Sequence, residues 1–343
     1  MRAAVFHGPN QPLRLEDVPK PEPGPGQIVV KVAACGVCHT DLHYIDHGVP
    51  TAKKPPLILG HEASGTVEAL GADVKSFAPG DRVLLPAVLS CGTCFFCRTG
   101  RENICQSMVM FGNNIDGAYA EFVLAPAKDA FPLPEEIPLL EGAIIADATS
   151  TPFFAVTRRS GLRPGDSCLI MGCGGVGMNA VQIAAAMGCK VIAVDVLDRK
   201  LEFAKSFGAF AVLNAKNSPN LVKDVRKLTG GMGVDVAIEC IGNPATMEAA
   251  FSTIRKGGRL VVVGYSDKTM NLAVQKIMYF EQEVVGSLGC RPVDYPALIE
   301  MVRLGKVKVK EMVTHRFGLD DINKAFELLR SGDPECLRAV IIP

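Results

Sequence analysis

The chain carries no excess of charge of either sign: 36 acidic residues balance 36 basic ones. Without a basic field, nothing gathers nucleic acid or an anionic membrane surface, so the composition favours a small-molecule ligand. Long apolar runs are missing too. The longest stretches, such as "LVVVG" at 260–264, are far too short to span a bilayer. Met1 leads straight into "RAAVFHG" with no charged-then-apolar leader, so a cytoplasmic location is expected. Neither an internal repeat nor a low-complexity segment is present.

What the sequence does have is length, apolar content and cysteine. Its 343 residues suffice for two domains, and 48% hydrophobic residues supply a substantial core. Twelve cysteines in a chain without a leader point to a reducing compartment, where thiols are metal ligands or small buried side chains. Their placement is uneven. Six fall between Cys35 and Cys105, whereas Cys168, Cys173, Cys189, Cys240, Cys290 and Cys336 are scattered and read as packing residues.

Residues 1 to about 147 read as short β-branched strands, such as "IVVKVAACG" and "ASGTVEAL", separated by Gly and Pro clusters. From Ser167 the pattern changes. Buried-strand runs ("SCLIMG", "KVIAVD", "DVAIEC", "RLVVVG") alternate with helical stretches ("NAVQIAAAMG", "RKLEFAKSFG"), which predicts an α/β, doubly wound parallel sheet. After Gly289 come two amphipathic helices and a last strand, "RAVIIP".

Gly172-x-Gly174-x-x-Gly177 follows the first of these strands directly and opens a helix. Glycines so placed allow a tight turn and close backbone approach to a pyrophosphate, which then sits at the positive N-terminus of the helix. The next strand ends at Asp195, where a carboxylate accepts hydrogen bonds from the adenosine ribose hydroxyls and repels a 2′-phosphate. NAD is therefore expected over NADP, although Arg199 and Lys200 follow closely.

Two candidate metal sites of opposite character are visible. Cys91, Cys94, Cys97 and Cys105 are spaced by three, three and eight, which suits the closed tetrahedral shell of a structural zinc. Four sulfurs leave no position for a substrate. The second site is split between Cys38 in "CGVCHTDLH" and His61 beside Glu62 in "ILGHEASG". Two ligands from separate segments and a third elsewhere would leave zinc an open corner, as catalysis requires. Spacing alone does not identify the third ligand.

"GVCHTD", "GHEASG", the four-cysteine loop and "GCGGVG" occur in the order found in the zinc-dependent medium-chain alcohol dehydrogenases, which the sequence resembles along almost its whole length. The resemblance implies a GroES-like catalytic domain (1–147 and 289–343) and an inserted Rossmann cofactor domain (148–288). It also implies two zincs per subunit and NAD(P)-linked oxidation of an alcohol. By position, Cys38 and His61 match catalytic-zinc ligands. The family's third ligand is usually cysteine; the matching residue here is Asp147, with Glu62 as the alternative. An oxygen donor returns less charge to zinc than a thiolate and leaves it a stronger Lewis acid.

On the same resemblance, Thr40 matches the hydroxyl that hydrogen-bonds the substrate oxygen, and His43 the solvent end of a proton relay. Asp41 looks like a partner that orients His61 or a neighbouring loop. His39 and Arg338 match positions near the cofactor pyrophosphate, Thr151 one against the nicotinamide, Lys200 one at the adenosine ribose. Gly175 and Val176 lie within the phosphate loop. Ala87 stands where relatives often carry a bulky pocket residue, which suggests a secondary or cyclic alcohol. Cys35 is expected to be buried, and His7, His47 and His315 are assigned no role. Relatives with so short a loop after Cys105 are commonly tetramers, so a homo-oligomer is expected. The rivals are a polyol, amino-alcohol or acyl-CoA-linked dehydrogenase of the same family and, from another class, a zinc-stapled binding protein without turnover.

Overall fold

The computed structural model describes residues 1–343. The chain divides into two compact units, Met1–Ser150 together with Gly289–Pro343, and Thr151–Leu288.

The first unit is built on a seven-stranded sheet. Its strands run in the order Phe131–Pro132, Arg82–Leu85, Glu62–Leu70, Gln27–Gly36, Arg338–Ile342 and Val313–Gly318, with Phe122–Pro126 also pairing with Gln27–Gly36. A β-branched run (Ile28, Val29, Val30, Val32) followed by small residues (Ala33, Ala34, Cys35, Gly36) buries both faces of Gln27–Gly36, and Ile28, Val29, Val30 and Ala34 are fully enclosed. Arg338–Ile342 pairs antiparallel with Gln27–Gly36 and parallel with Val313–Gly318, so residues near the C-terminus sit in mid-sheet. Not every element of residues 1–147 is a strand or turn: beside the short helices Phe95–Arg98 and Leu139–Gly142, His39–Ile45 is a helix, with the Cys38 sulfur accepting from the Thr40 amide at its start.

The second unit is a six-stranded, wholly parallel sheet. Its order is Ala211–Asn214, Lys190–Asp195, Ser167–Met171, Val234–Glu239, Ile254–Val262 and Glu283–Gly286. The chain's direction of growth reverses between Ser167–Met171 and Val234–Glu239, which is where such sheets open a crevice at the strand ends. Helix Gly175–Ala186 starts at that reversal. No single helix of the protein is long and apolar enough to cross a membrane.

Candidate active site and cofactor loop

Cys91, Cys94, Cys97 and Cys105 converge on one point. The sulfurs of Cys91 and Cys97 lie 3.9 Å apart, those of Cys94 and Cys97 3.5 Å, and those of Cys94 and Cys105 3.8 Å. A tetrahedral zinc with four sulfurs at their usual bond length sets them about 3.8 Å apart. Backbone amides of Thr93 and Cys94 point at the Cys91 sulfur at 3.4 and 3.3 Å. The Thr93 amide and hydroxyl and the Cys94 amide pull the Cys91 thiol down to about 5, whereas burial and the neighbouring thiols push Cys97 up to about 12. Thiolates crowded this closely repel one another, and a dication removes the conflict. The loop is tied to the C-terminal segment by Arg291, whose guanidinium donates to the Gly100 carbonyl at 3.1 Å.

Cys38, His61, Glu62 and Asp147 form the second cluster, their ligand atoms all within 4.8 Å of one another. Both His61 ring nitrogens are buried without a hydrogen-bond partner. Nε2 lies 3.6 Å from Asp147 Oδ2, and Nδ1 lies 3.5 Å from Asp41 Oδ1. The first distance is too long for a strong hydrogen bond. It is close to the separation of about 3.4 Å between a nitrogen and an oxygen that share a tetrahedral zinc. Burial works against a charged His61, yet Asp41, Cys38 and Asp147 raise its pKa well above the ordinary value. The same anionic field suits a cation, so the donor set fits zinc.

Glu62 does not stand alone. Its Oε2 is ion-paired with Arg338, while its Oε1 is buried without a partner. Burial pushes its carboxyl up to about 7, against the pull of Arg338. A Cβ on Gly36 would collide with this carboxylate, so glycine there is what lets Glu62 fold into the site. Arg338 keeps an unpartnered Nε despite being buried.

The other expected residues gather on helix His39–Ile45. The Cys38 thiol donates to the Thr40 hydroxyl oxygen at 3.5 Å. Thr40 and His43, three apart, share one helical face. His39 is open to solvent yet crowded by protein, and that crowding, Arg338 and His43 push its pKa down to about 4. His47, assigned no role, is in fact paired: its Nδ1 lies 3.0 Å from that of His43. His7 and His315 make only local contacts, with Glu16 and Thr314. Cys35 is fully buried.

Tyr119 was not foreseen. The buried Tyr119 hydroxyl donates to Asp41 Oδ2 at 2.7 Å and so holds the carboxylate that faces His61. A lone tyrosine 78 residues from its partner leaves no signal in the sequence. Ala87 is buried, its amide 3.4 Å from the Ala146 carbonyl, and thus beside the segment bearing Asp147. A cavity of about 860 Å³ adjoins Cys91, lined by residues such as Leu57, Leu89 and Phe122, and includes none of the second cluster.

In the second unit, the glycine loop has the expected constraints. Gly172 adopts φ +91°, and a Cβ on Gly177 would collide with the Gly172 carbonyl oxygen. Gly174 caps the helix, which Gly175 and Val176 begin. Asp195 accepts from the Cys173 amide at 2.7 Å and from the Val196 and Leu197 amides at 2.7 and 3.0 Å. The carboxylate therefore braces the loop and keeps about one lone-pair site for a ligand. Lys200 is buried, and its charge acts on the Cys173 thiol. Arg199 pairs with Glu202 at 2.8 Å and lies over the Phe203 ring. Thr151 opens this unit, on helix Ser150–Phe154.

An alcohol dehydrogenase GroES-like domain model matches residues 24–135, and a zinc-binding dehydrogenase model matches 175–303. An alcohol dehydrogenase of Geobacillus stearothermophilus is 36% identical over 334 residues, covering 97% of this chain and 96% of that one. The NAD-dependent alcohol dehydrogenase of Sulfurisphaera tokodaii is 34% identical over 344 residues, covering 96% and 97%. The alcohol dehydrogenase of the archaeon Aeropyrum pernix superposes with a TM-score of 0.91 at 37% identity, covering 100% of both chains. A β-rich unit with a thiolate-imidazole-carboxylate cluster and a Rossmann unit with a braced glycine loop define a metal- and nucleotide-dependent oxidoreductase. The chain belongs to the zinc-dependent medium-chain alcohol dehydrogenase family.

Proposed function

We propose that this protein is a zinc-dependent, NAD-linked alcohol dehydrogenase that oxidises secondary or cyclic alcohols and reduces the matching carbonyls. The observation that carries this reading is the second cluster, in which a thiol, an imidazole and a carboxylate from distant segments face one point. Cys38, His61 and Asp147 would hold the ion, with Glu62 kept aside by Arg338. When bound, zinc supplies Lewis acidity that lowers the pKa of an alcohol, and NAD supplies the hydride acceptor.

The chain's own residues then have defined tasks. The Thr40 hydroxyl, beside the Cys38 sulfur, takes the substrate proton at Oγ1 as it gives up its own, and His43 on the same helical face releases a proton to water. Asp41, held by Tyr119, keeps the His61 ring in orientation. The Gly172–Gly177 loop suits a pyrophosphate, and Asp195 suits a ribose without a 2′-phosphate. The small side chain of Ala87 leaves room for branching at the carbinol carbon.

Exposed Val274, Met278 and Tyr279, just before the edge strand Glu283–Gly286, support a homo-oligomer, with a tetramer favoured. Twelve cysteines, none of them in a disulfide, suit the cytoplasm. Zinc-replete protein should form NADH faster from secondary and cyclic alcohols than from primary ones, and should carry two zincs per chain. A protein that holds a single zinc and forms no NADH from any alcohol, polyol or amino alcohol would be a binding protein instead.

A further inference from the structure

Asp147 sits at a break in the chain. The short helical turn Ala143–Ala146 ends there, and the backbone at Asp147 leaves helical geometry with φ −143° and ψ −56°. The preceding carbonyl, that of Ala146, is gripped by two hydroxyls from outside the turn. The Tyr295 hydroxyl donates to it at 2.6 Å, the Ser150 hydroxyl lies 3.0 Å from it, and the two hydroxyl oxygens are 3.0 Å apart. Two hydroxyl hydrogens serve these three oxygen contacts, so Tyr295 donates to the carbonyl while Ser150 donates either to it or to Tyr295. All of this is buried. Tyr295 is 2% exposed, its ring stacked on Phe131 at 5.1 Å and 14°.

We infer that Tyr295, with Ser150, is a positioning residue for the catalytic metal site: their hydroxyls clamp the Ala146 carbonyl, fix the Ala146–Asp147 peptide plane and so aim the Asp147 carboxylate at His61. Other restraints on this carbonyl are weaker, since the Ala87 amide approaches it only to 3.4 Å. The clamp also explains why a tyrosine, rather than a purely apolar ring, occupies a site enclosed on all sides, where its oxygen costs free energy to bury unless it is bonded. This inference rests on the proposed role of Asp147 as a zinc ligand.

Tyr295→Phe keeps the stacked ring and removes one hydrogen-bond donor. Zinc release to a chelator from the holoenzyme should then be faster by about 10- to 100-fold at one of its two sites, the range seen when groups behind a metal ligand are removed. With cobalt exchanged into the labile site, the d–d bands should shift, which a loss of packing elsewhere would not cause. Ser150→Ala should move both readouts in the same direction and less than additively with Tyr295→Phe, because the two share one acceptor. It also serves as the test if Tyr295→Phe fails to fold. Asp147→Asn separates the two levels of inference. If it leaves zinc retention and the cobalt spectrum unchanged, Asp147 is not a ligand and both readings fall. If it abolishes tight binding while Tyr295→Phe and Ser150→Ala behave as wild type, only the positioning role is overturned.

Discussion

Arg338 and Glu62 stand 276 residues apart in the chain, yet they close an ion pair whose side chains are 6% and 0% exposed. Removing Arg338 leaves Glu62 buried without its counter-ion, so the carboxyl must either stay charged in a dry site or take up a proton. Arg338→Met should therefore lower unfolding free energy by about 3–5 kcal/mol in denaturant titration, and Arg338→Met with Glu62→Gln should recover much of that. Equal losses in the single and double variants would mean that Arg338 contributes through packing alone.

The two metal clusters should separate by substitution. Cys94→Ser is expected to reduce zinc from two ions per chain to one and to lower the melting temperature, with activity surviving in whatever stays folded. Cys38→Ala should also leave one zinc but remove at least about 10³-fold of kcat/KM with little change in melting. Metal analysis with calorimetry distinguishes the outcomes.

His43→Gln should slow alcohol oxidation most at low pH, where water is a poor acceptor for the relayed proton, and change the pH profile of kcat/KM. An unaltered profile would show that the proton leaves by another route. His47, hydrogen-bonded to His43, gives a natural second variant for the same measurement.

Asp195→Ala is expected to weaken NAD by about 10- to 100-fold, because a charged hydrogen-bond acceptor contributes about 1.5–3 kcal/mol. The gain for NADP should be smaller than the removal of charge repulsion implies. The three amides that Asp195 holds lose their partner in the same step, so the glycine loop loosens for either cofactor.

Asp46 and Arg330 form a bidentate pair, with both contacts at 2.8 Å, between the end of helix His39–Ile45 and helix Ile322–Ser331. The Arg330 hydrogen bond, only partly offset by burial, holds the Asp46 carboxyl below its usual value. A carboxyl depressed in the fold stabilises it fully above the unfolded pKa of about 4 and loses that contribution as pH falls through the folded value. With both side chains about a third exposed, about 0.5–1 kcal/mol is expected. Stability curves of wild type and Asp46→Asn should thus differ at pH 6 and converge near pH 2.

The parts of the site that were legible in the sequence are those whose residues lie close together in it. Four cysteines within fifteen positions and four glycines within six announce themselves because one loop must supply every contact. Asp147 could be placed only by resemblance, since a ligand from a distant segment leaves no spacing to read. Helix His39–Ile45 escaped notice because its cap is the sulfur of Cys38, not the usual hydroxyl or carboxylate. Tyr119 and Tyr295 were illegible for a deeper reason. Each acts through one oxygen on a partner 78 or 149 residues away, and no periodic pattern encodes such a contact.

The strand Arg338–Ile342 lies between Gln27–Gly36 and Val313–Gly318. On a ribosome, the first half of the β-rich unit therefore emerges with an open sheet edge and waits, while the entire nucleotide-binding unit is made, for its missing neighbour. During that interval the nascent chain exposes unpaired backbone at Cys35 and Gly36, the end of the strand that Phe122–Pro126 leaves uncovered, a site for chaperone capture or for mispairing between chains. Stalled chains ending before residue 338 should be protease-sensitive across residues 1–150 while Thr151–Leu288 is already protected. Early protection of both would show that the edge is covered by other means.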